Sequence, residues 1–336
     1  MTRHTTMMFV LTSVATLMLF VLNIFSGSTD LPLADVARAL MGSDTNYITH
    51  FIVIESRLPQ ALTALLCGAT LAASGLILQT VFQNPLADPS ILGVNSGASL
   101  GVAIVMLCLG GSVLTWGAAL SGFVLVVMAA FVGALVIIAM LTILANHISN
   151  NIILLIAGIM ISYVTSSIIS LLNYYSTEQG VHSYVMWGLG NFGGVSLKIM
   201  PWFGSAMAVC IILCISLIKP LNALLLGARY AQNLGINIKR TRTIMLLVTG
   251  LVAALTTAFC GPISFIGLAV PHITRFMAHT ANHRILIPLT LLVGATTGLA
   301  CNWICTLPPD GTLIPLNVVT PLFGVPVILY VLLRHR

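Results

Sequence analysis

The sequence is short of charged residues. Only 6% of its 336 residues are Asp, Glu, Lys or Arg, whereas 58% are hydrophobic. A soluble domain carries about 25% charged residues, so this chain has too few to cover a surface that faces water. The scarcity excludes an ordinary soluble protein. It indicates a chain that lies in a membrane, where apolar side chains face lipid.

Acidic residues are the scarcer of the two charged types, with seven in the chain. All seven lie in loops or near the ends of apolar runs. Carriers driven by ions, and proton relays, place Asp, Glu or His in the middle of the membrane. The placement therefore argues against an ion-coupled mechanism. Uphill transport by such a chain would need an external source of energy.

Several catalytic and nucleotide-binding motifs are missing. The sequence has no G-x-x-x-x-G-K-[ST] loop for ATP, no H-E-x-x-H zinc motif and no G-x-S-x-G motif in a strand–turn–helix setting. The seven cysteines lie within or at the ends of apolar runs without His or carboxylate neighbours at ligand spacing. We interpret them as small buried apolar residues. We therefore expect no enzyme activity, metal site or cofactor in this chain.

Long apolar runs recur along the whole sequence. Roughly ten of them are long enough to span a hydrocarbon layer of ~30 Å as a helix. They are 7–25, 58–80, 94–109, 116–144, 152–172, 202–217, 244–260, 260–276, 285–305 and 318–333. The sequence predicts an all-α, polytopic membrane protein of about ten transmembrane helices, in one domain over residues 1–336. The first run is interpreted as a retained span, with a cleaved signal peptide as the alternative.

The basic residues predict the orientation. If the N-terminus is cytoplasmic and the spans alternate, ten of the 13 basic residues fall inside and only Arg38, Arg57 and Lys198 fall outside. The acidic residues show the opposite bias, with Asp88 alone inside. Short cytoplasmic loops are enriched in Lys and Arg, so we expect both termini in the cytoplasm. The same rule explains the net charge of +6 without a nucleic-acid partner.

Polar islands interrupt the apolar runs on both sides. On the outer side, residues 33–40 can form a short surface helix, and Arg57 follows at the end of the second run. Arg57 is either an interfacial side chain or a contact for an acidic partner. On the inner side, residues 83–98 are rich in Asn, Pro and Gly. Irregular backbone at membrane depth is tolerated only where protein buries it or where it lines a watery cavity.

The longest predicted cytoplasmic loop is the 219–242 segment, KPLNALLLGARYAQNLGINIKRTR. Its middle, 222–233, predicts one short helix that Gly235 would end. The segment is basic and partly apolar, and residues 224–226 and Tyr230 would be exposed without a partner. We interpret it as a docking surface for a soluble partner, with a solvated positive loop as the alternative.

Together these stretches resemble the FecCD-type permeases, the membrane subunits of ABC importers for ferric siderophores, haem, cobalamin and related metal chelates. The resemblance covers nearly the whole chain and is carried, in order, by RLP at 57–59, NPLADP at 84–89, LG at 92–93, LG at 226–227 and 234–235, GPISFIGL at 261–268 and P-H-x-x-R at 271–275. It implies a homodimer, or a heterodimer with a close paralogue, in the bacterial inner membrane, with the solute path along the dimer axis. It also implies two copies of a separate ATPase subunit beneath the membrane and a periplasmic binding protein above it.

The resemblance also implies roles for individual residues. Docking of the binding protein would use Arg57, with Lys198 as a compensating group. The cytoplasmic gate would involve Asn84, Pro85, Leu86, Ser149, Asn150 and Asn151. Coupling to the ATPase would involve Leu226, Gly227, Ala228, Arg229, Tyr230, Ala231, Leu234 and Gly235.

The stretch CGPISFIGLAVPHITRF at 260–276 would shape a mobile span beside the path. Its helix-shaping residues would be Gly261, Pro262, Gly267, Pro271, His272 and Arg275. The glycine–proline pair would break the chain between the seventh and eighth spans, the second glycine would allow close packing, and the second proline would kink the eighth span. The histidine is expected to be a hydrogen-bonded structural residue, since no second metal ligand is nearby.

The chain departs from the family pattern at several positions. Gln60 stands where members often have a second arginine, and Thr306 lies near another basic position of the family. Asn302 replaces the usual aspartate of the ninth span, and Ala228 replaces a glutamate of the coupling segment. These departures leave the architecture in place and bear on docking and on the choice of solute.

The solute stays open from the sequence. A ferric siderophore is the expectation because it is the broadest class in the family, with cobalamin, haem or a metal oxyanion as alternatives. An ATP-independent secondary transporter or channel and a polytopic membrane enzyme are the rival function classes. The missing mid-membrane carboxylates argue against the first, and the missing catalytic motifs argue against the second.

Overall fold

The computed structural model describes residues 3–42, 46–108, 119–148, 150–308 and 312–334. These residues form fifteen α-helices and one π-helical segment, Phe51–Arg57, and include no β-strand. The α-helices are α1 (Arg3–Phe25), α2 (Leu33–Leu40), α3 (Tyr47–His50), α4 (Leu58–Phe82), α5 (Val94–Cys108), α6 (Ala119–His147), α7 (Asn151–Tyr175), α8 (Glu178–Gly188), α9 (Met200–Ser216), α10 (Ile218–Leu225), α11 (Ala228–Asn233), α12 (Ile238–Cys260), α13 (Ile266–Ala278), α14 (His283–Cys305) and α15 (Leu316–Arg334). The all-α class predicted from the sequence is confirmed.

Six helical segments of the described chain are long and apolar enough to cross a membrane, and the bent pair α9 and α10 makes a seventh if it is one span. The six are Arg3–Phe25, Tyr47–Phe82, Gly122–His147, Ile152–Tyr175, Ile238–Cys260 and His283–Cys305. Within the described residues each predicted apolar run overlaps a helix, and the run 260–276 includes the non-helical residues 261–265. The count of ten spans and the cytoplasmic position of both ends stay predictions.

The helix at the centre of the fold is α4. Of its 25 residues, 20 are buried, because α9, α12, α13 and α14 all pack around it. Small residues permit this close packing. Gly68 lies against the backbone of Gly294 and Gly298 in α14, and Gly75 lies against Gly267 in α13, so that a Cβ at either position would collide with backbone atoms. The close packing predicted for Gly267 is present.

Two long spans, α1 and α7, lie at the periphery. In each helix, 17% of the most apolar window is buried within the chain. Leu17 and Met18 of α1 and Ile152 and Val164 of α7 are among their exposed side chains. Apolar surface of this extent needs lipid or another protein chain against it. These two helices therefore form outward faces of the subunit.

The segment between α1 and α4 forms a small layer of its own. The surface helix predicted over 33–40 is present as α2. Its buried residues Val36 and Ala39 pack with Ile24 of α1 and Val53 of the π-helical segment. One apolar face on a short helix is sufficient to hold this layer against the membrane helices.

The cysteines are buried, as predicted for small apolar side chains, with the exception of Cys108, which is exposed. Cys67 of α4 and Cys260 of α12 bring their Sγ atoms to 3.7 Å. Within the described part of the chain, no group of three or more His, Cys, Asp or Glu side chains is placed to hold a metal ion.

Candidate functional site

An irregular loop, the proline loop (Gln83–Gly93), follows α4. Gln83 ends the helix in a left-handed conformation, with a φ of 48°. Asn84 then makes an Asx turn, because its Oδ1 accepts a hydrogen bond from the backbone N–H of Leu86 (2.9 Å). Pro85 and Leu86 are exposed. The polar island after α4 is therefore a loop that presents two of the predicted gate residues at the surface.

Asp88 lies on the buried side of the proline loop. Its carboxylate accepts hydrogen bonds from the backbone N–H of Ser90 (3.1 Å) and from the Ser90 hydroxyl. Burial raises the pKa of the Asp88 carboxyl, and the bonds from Ser90 oppose that rise. A Cβ at Gly267 would collide with this carboxylate. The missing side chain at Gly267 thus lets the loop lie directly against α13.

Polar contacts hold the proline loop and the end of α4 to α13. His272 Nε2–H donates a hydrogen bond to the carbonyl of Pro85 (2.8 Å). Arg275 donates to Gln79 Oε1 (2.5 Å), and Gln79 Nε2 donates to the carbonyl of Leu268 (3.1 Å). The hydrogen bond expected of His272 is present. Because several bonds act together, α13 and the loop form one connected unit.

The chain breaks between α12 and α13, where the sequence carries its glycine–proline pair. Gly261 follows α12 with a φ of 77°, a conformation that glycine adopts readily. Asn317 of α15 donates hydrogen bonds from Nδ2 to the carbonyls of Pro262 (2.6 Å) and Gly188 (3.1 Å), so the break is held in place. Pro271 lies inside α13. The predicted break is present, and the mobility of α13 stays a prediction.

Arg57 ends the π-helical segment, and its side chain is buried. Its guanidinium donates hydrogen bonds to the carbonyls of Ile24 (3.0 Å) and Phe25 (3.2 Å) at the end of α1, and of Thr29 (2.5 Å). A cation at this end of a helix satisfies carbonyls that have no partner within the helix. Arg57 therefore fastens α1 to α4, whereas Lys198, before α9, is exposed. Docking by either residue stays a prediction.

Two departures from the family pattern contact each other. Gln60 Nε2 donates to Asn302 Oδ1 (3.0 Å), and Asn302 Nδ2 donates to Asn23 Oδ1 (2.7 Å). Asn302 is only 4% exposed, so this chain of neutral amides joins α1, α4 and α14 inside the fold. An arginine at position 60 and an aspartate at 302 would stand opposite each other as an ion pair. With neutral amides at both positions, the contact leaves no lone buried charge.

The 219–242 segment contains two short helices. Gly227 has a φ of 98° and separates α10 from α11. The single helix predicted over 222–233 is therefore wrong, because a positive φ at Gly227 interrupts the helical backbone. The end predicted at Gly235 is present, with a φ of 82°.

The stretch 226–234, which contains α11 and is here called the surface of α11, is divided by burial. Ala231 is fully buried and holds the helix to the body of the protein. Leu226, Tyr230 and Leu234 are 63%, 52% and 58% exposed, and Arg229 is exposed beside them. Apolar side chains exposed next to a basic residue are typical of a protein contact surface. This surface matches the segment predicted to dock a partner.

The second group of predicted gate residues stands at the beginning of α7. Ser149 lies outside the described residues. Asn150 caps the helix, since its Oδ1 accepts hydrogen bonds from the N–H groups of Ile152 (2.8 Å) and Ile153 (3.4 Å), and Asn151 is the first helical residue. No hydrogen bond in the described part of the chain joins Asn150 to the proline loop. A gate shared by the two groups stays a prediction.

A row of hydroxyl groups on α7 is not among the residues predicted from the sequence. The row, here called the hydroxyl stripe, consists of Tyr163, Ser166, Ser167, Ser170 and Tyr174, all exposed. The spacing i, i+3, i+4, i+7 and i+11 is the signal that identifies one helix face. Polar groups on a membrane helix face protein or water rather than lipid. The stripe is therefore a polar strip on an otherwise apolar exposed surface, and its hydroxyl oxygens could accept hydrogen bonds from a neighbouring chain, water or a solute.

Known proteins share both the sequence pattern and the fold. A model of the FecCD transport family matches residues 15–334. The vitamin B12 import system permease protein BtuC of Klebsiella pneumoniae subsp. pneumoniae is 35% identical over 287 residues, which cover 85% of this chain and 84% of that protein. BtuC of Escherichia coli O9:H4 is 34% identical over 288 residues, which cover 85% of each chain.

A solved structure also resembles this chain. It shows a metal-chelate type ABC transporter in an inward-facing conformation, with a TM-score of 0.82 and 27% identity. The match covers 98% of this chain and 99% of the other. The likeness therefore includes the proline loop, α7 and the 219–242 segment.

Proposed function

The chain belongs to the FecCD transport family, and we propose on that premise that it moves a metal chelate across the bacterial inner membrane. It is a permease subunit of an ABC importer and not an enzyme, because ATP is hydrolysed by a separate subunit. The metal would arrive as part of the cargo. This role needs no resident cofactor in the chain.

The observation that carries the proposal is the hydroxyl stripe of α7. The stripe places five hydroxyl groups on the outward surface of an apolar helix. Ser167 and Ser170 donate their hydroxyl protons to backbone carbonyls one helical turn earlier (3.0 Å each). Hydrocarbon offers no donor to the hydroxyl oxygens, whereas water or a polar solute does. Against a second copy of the chain, or a close paralogue, the stripe would line a water-accessible path. Its neutral hydroxyl groups would contact a polar solute without holding it tightly.

The relatives favour cobalamin as the chelate. Both BtuC proteins are vitamin B12 permeases by name, at 35% and 34% identity. Cobalamin carries several amide side chains around its ring, and serine and tyrosine hydroxyl groups both donate to and accept from amides. The ferric siderophore expected from the sequence stays a prediction and serves as the comparison solute in the test below.

The exposed surface of α11 suits an ATPase subunit. Leu226, Tyr230 and Leu234 would enter an apolar groove, as anchors of a docked helix do. A permease dimer would bind two ATPase copies, one for each 219–242 segment. The periplasmic binding protein would dock at the opposite end of the subunit, where Lys198 is exposed.

The proline loop would act as the cytoplasmic gate. Its residues Asn84, Pro85 and Leu86 follow α4 at the centre of the fold, and Asn150 caps the helix that carries the hydroxyl stripe. Binding of ATP would close the ATPase pair, and the movement of α10 and α11 would reach these residues. Energy would thus enter mechanically, which agrees with the lack of ion-coupling carboxylates in the spans.

Uptake into proteoliposomes tests the proposal. The chain would be reconstituted with its ATPase subunit and binding protein, and ATP-driven uptake of cyanocobalamin and of a ferric siderophore would be compared. We expect uptake of cyanocobalamin, and we expect the double variant Ser166→Leu, Ser170→Leu to reduce it. Ser205→Leu is the control, because Ser205 is an exposed serine on α9 outside the stripe. Equal losses in both variants would remove the stripe from the path, and uptake without ATP would contradict the importer.

A further inference from the structure

The helix α10 is bonded to the beginning of α14 through one side chain. Asn222 Oδ1 accepts hydrogen bonds from the backbone N–H of His283 (2.8 Å) and from its Nδ1–H (3.1 Å). Asn222 Nδ2 donates to Asn282 Oδ1 (3.0 Å). The neighbouring Leu221 is fully buried. A single asparagine therefore fixes the 219–242 segment to α14 by three hydrogen bonds.

His283 carries the connection on to α4. Its imidazole is buried, with 1% exposed, and Nε2 lies 3.0 Å from Thr80 Oγ1. The Asn222 oxygen can only accept, so Nδ1 must carry a proton, and Nε2 of the neutral ring is an acceptor that faces the Thr80 hydroxyl. The single Thr80 proton is shared between Nε2 and the carbonyl of Leu76, one helical turn earlier (2.9 Å). One tautomer of one histidine thus bridges α10 and α4.

The connection continues to the proline loop. Thr80 stands in the last turn of α4, next to Gln79, which is bonded to Arg275 and to the carbonyl of Leu268 in α13. His272 of the same helix donates to Pro85 in the loop. Polar contacts therefore connect the 219–242 segment to a predicted gate residue by way of α14, α4 and α13. The helix backbone makes the steps from Thr80 to Gln79 in α4 and from Arg275 to His272 in α13.

The physical character of these contacts differs from the apolar packing around them. Packed apolar helices can slide past one another by small shear movements. Buried hydrogen bonds are directional, and an unpaired buried partner is unfavourable, so the groups they join tend to move together. We propose that Asn222, His283 and Thr80 form a positioning relay that passes a displacement of α10 to the proline loop. The proposal rests on the function proposed above, in which an ATPase moves the 219–242 segment.

The relay is tested by the number of solute molecules moved per ATP hydrolysed. The assembled importer, reconstituted with ATPase and binding protein, would carry Asn222→Leu or Thr80→Val. Thr80→Val removes one hydroxyl and keeps the side-chain shape, so it remains informative if Asn222→Leu fails to fold. Thr243→Val is the matched control, because it removes a hydrogen bond between α12 and α6 (Thr243 Oγ1 to Asn146 Oδ1, 3.3 Å) that lies outside the relay.

We expect both relay variants to retain ATP hydrolysis while uptake per ATP falls. The fall should be about tenfold in Thr80→Val, the factor that corresponds to one lost hydrogen bond of about 1.4 kcal/mol, and larger in Asn222→Leu, which loses three hydrogen bonds. The control should keep the wild-type ratio. An unchanged ratio in Thr80→Val would overturn the relay, and so would a parallel loss of hydrolysis and uptake, which indicates a docking or folding defect. If the wild-type chain bound no ATPase, the proposed function would fail first, and the relay with it.

Discussion

The contact between Gln60 and Asn302 predicts that a charge at one of these positions destabilises the fold less when an opposite charge stands at the other. The variant Asn302→Asp places a carboxylate where the present side chain is 4% exposed. The bond from Gln60 Nε2 (3.0 Å) is kept, but the amide that donates to Asn23 Oδ1 (2.7 Å) becomes a second acceptor. Two oxygen acceptors then face each other, and a buried charge has no counter-ion.

The size of the effect follows from these two losses. An unsatisfied buried acceptor lowers the free energy of unfolding by about 1–3 kcal/mol. A buried charge left without its partner lowers it by about 3–5 kcal/mol in total, which is the loss we expect for Asn302→Asp. Gln60→Arg alone should cost less, because position 60 is partly exposed and a guanidinium can reach water. The double variant places opposite charges together. We expect it to be more stable than the sum of the single effects by about 1–3 kcal/mol.

The assay is unfolding of the purified chain in mixed micelles by titration with SDS, followed by tryptophan fluorescence. Wild type, the two single variants and the double variant form a double-mutant cycle, and the coupling free energy is read directly from it. A coupling below about 0.5 kcal/mol would show that the two side chains act independently. That result would refute the contact and the explanation of the paired departures.

Three further predictions concern other elements. Arg57→Gln should lower the free energy of unfolding by about 2–3 kcal/mol, because charged hydrogen bonds to carbonyls at and beyond the end of α1 are lost. Arg38→Gln removes surface contacts with Asp35 and the Ala34 carbonyl within α2 and should cost less than about 1 kcal/mol, so equal effects would contradict the buried arrangement of Arg57. Gly75→Ala should lower the free energy of unfolding by about 1–3 kcal/mol, because the added Cβ pushes α4 away from α13. Gly204→Ala is the control: it has room for a Cβ and should be neutral or slightly stabilising in the same titration. Lys198→Glu should weaken binding of the periplasmic protein, measured by biolayer interferometry, without changing stability; an unchanged affinity would place docking elsewhere.

Local patterns were sufficient to predict much of the fold. Apolar runs indicated the helices because length and composition alone decide whether a helix suits a membrane. Two predicted boundaries at glycine, Gly235 and Gly261, are present, because glycine adopts a positive φ with little strain. The sequence prediction of one helix over 222–233 misses the positive φ of Gly227, which separates α10 from α11.

The contacts of the polar side chains could not be predicted in the same way. Thr80 and His283 are 203 residues apart in the sequence, and Gln60 and Asn302 are 242 apart. No local pattern links such positions. Arg57 looked like a free outer charge because the sequence does not show that the end of α1 turns its carbonyls toward it. The hydroxyl stripe was visible as a helical repeat, but only the exposure of α7 shows that the repeat faces outward.

The most direct test of the account is ATP hydrolysis by the assembled importer in lipid nanodiscs. The chain would be purified with its ATPase subunit, and the hydrolysis rate measured with the binding protein empty or loaded with cyanocobalamin. The account predicts that the ATPase co-purifies through the 219–242 segment and that the loaded binding protein raises the rate. A chain that retains no ATPase subunit, or that passes solute at the same rate with and without ATP, would contradict it.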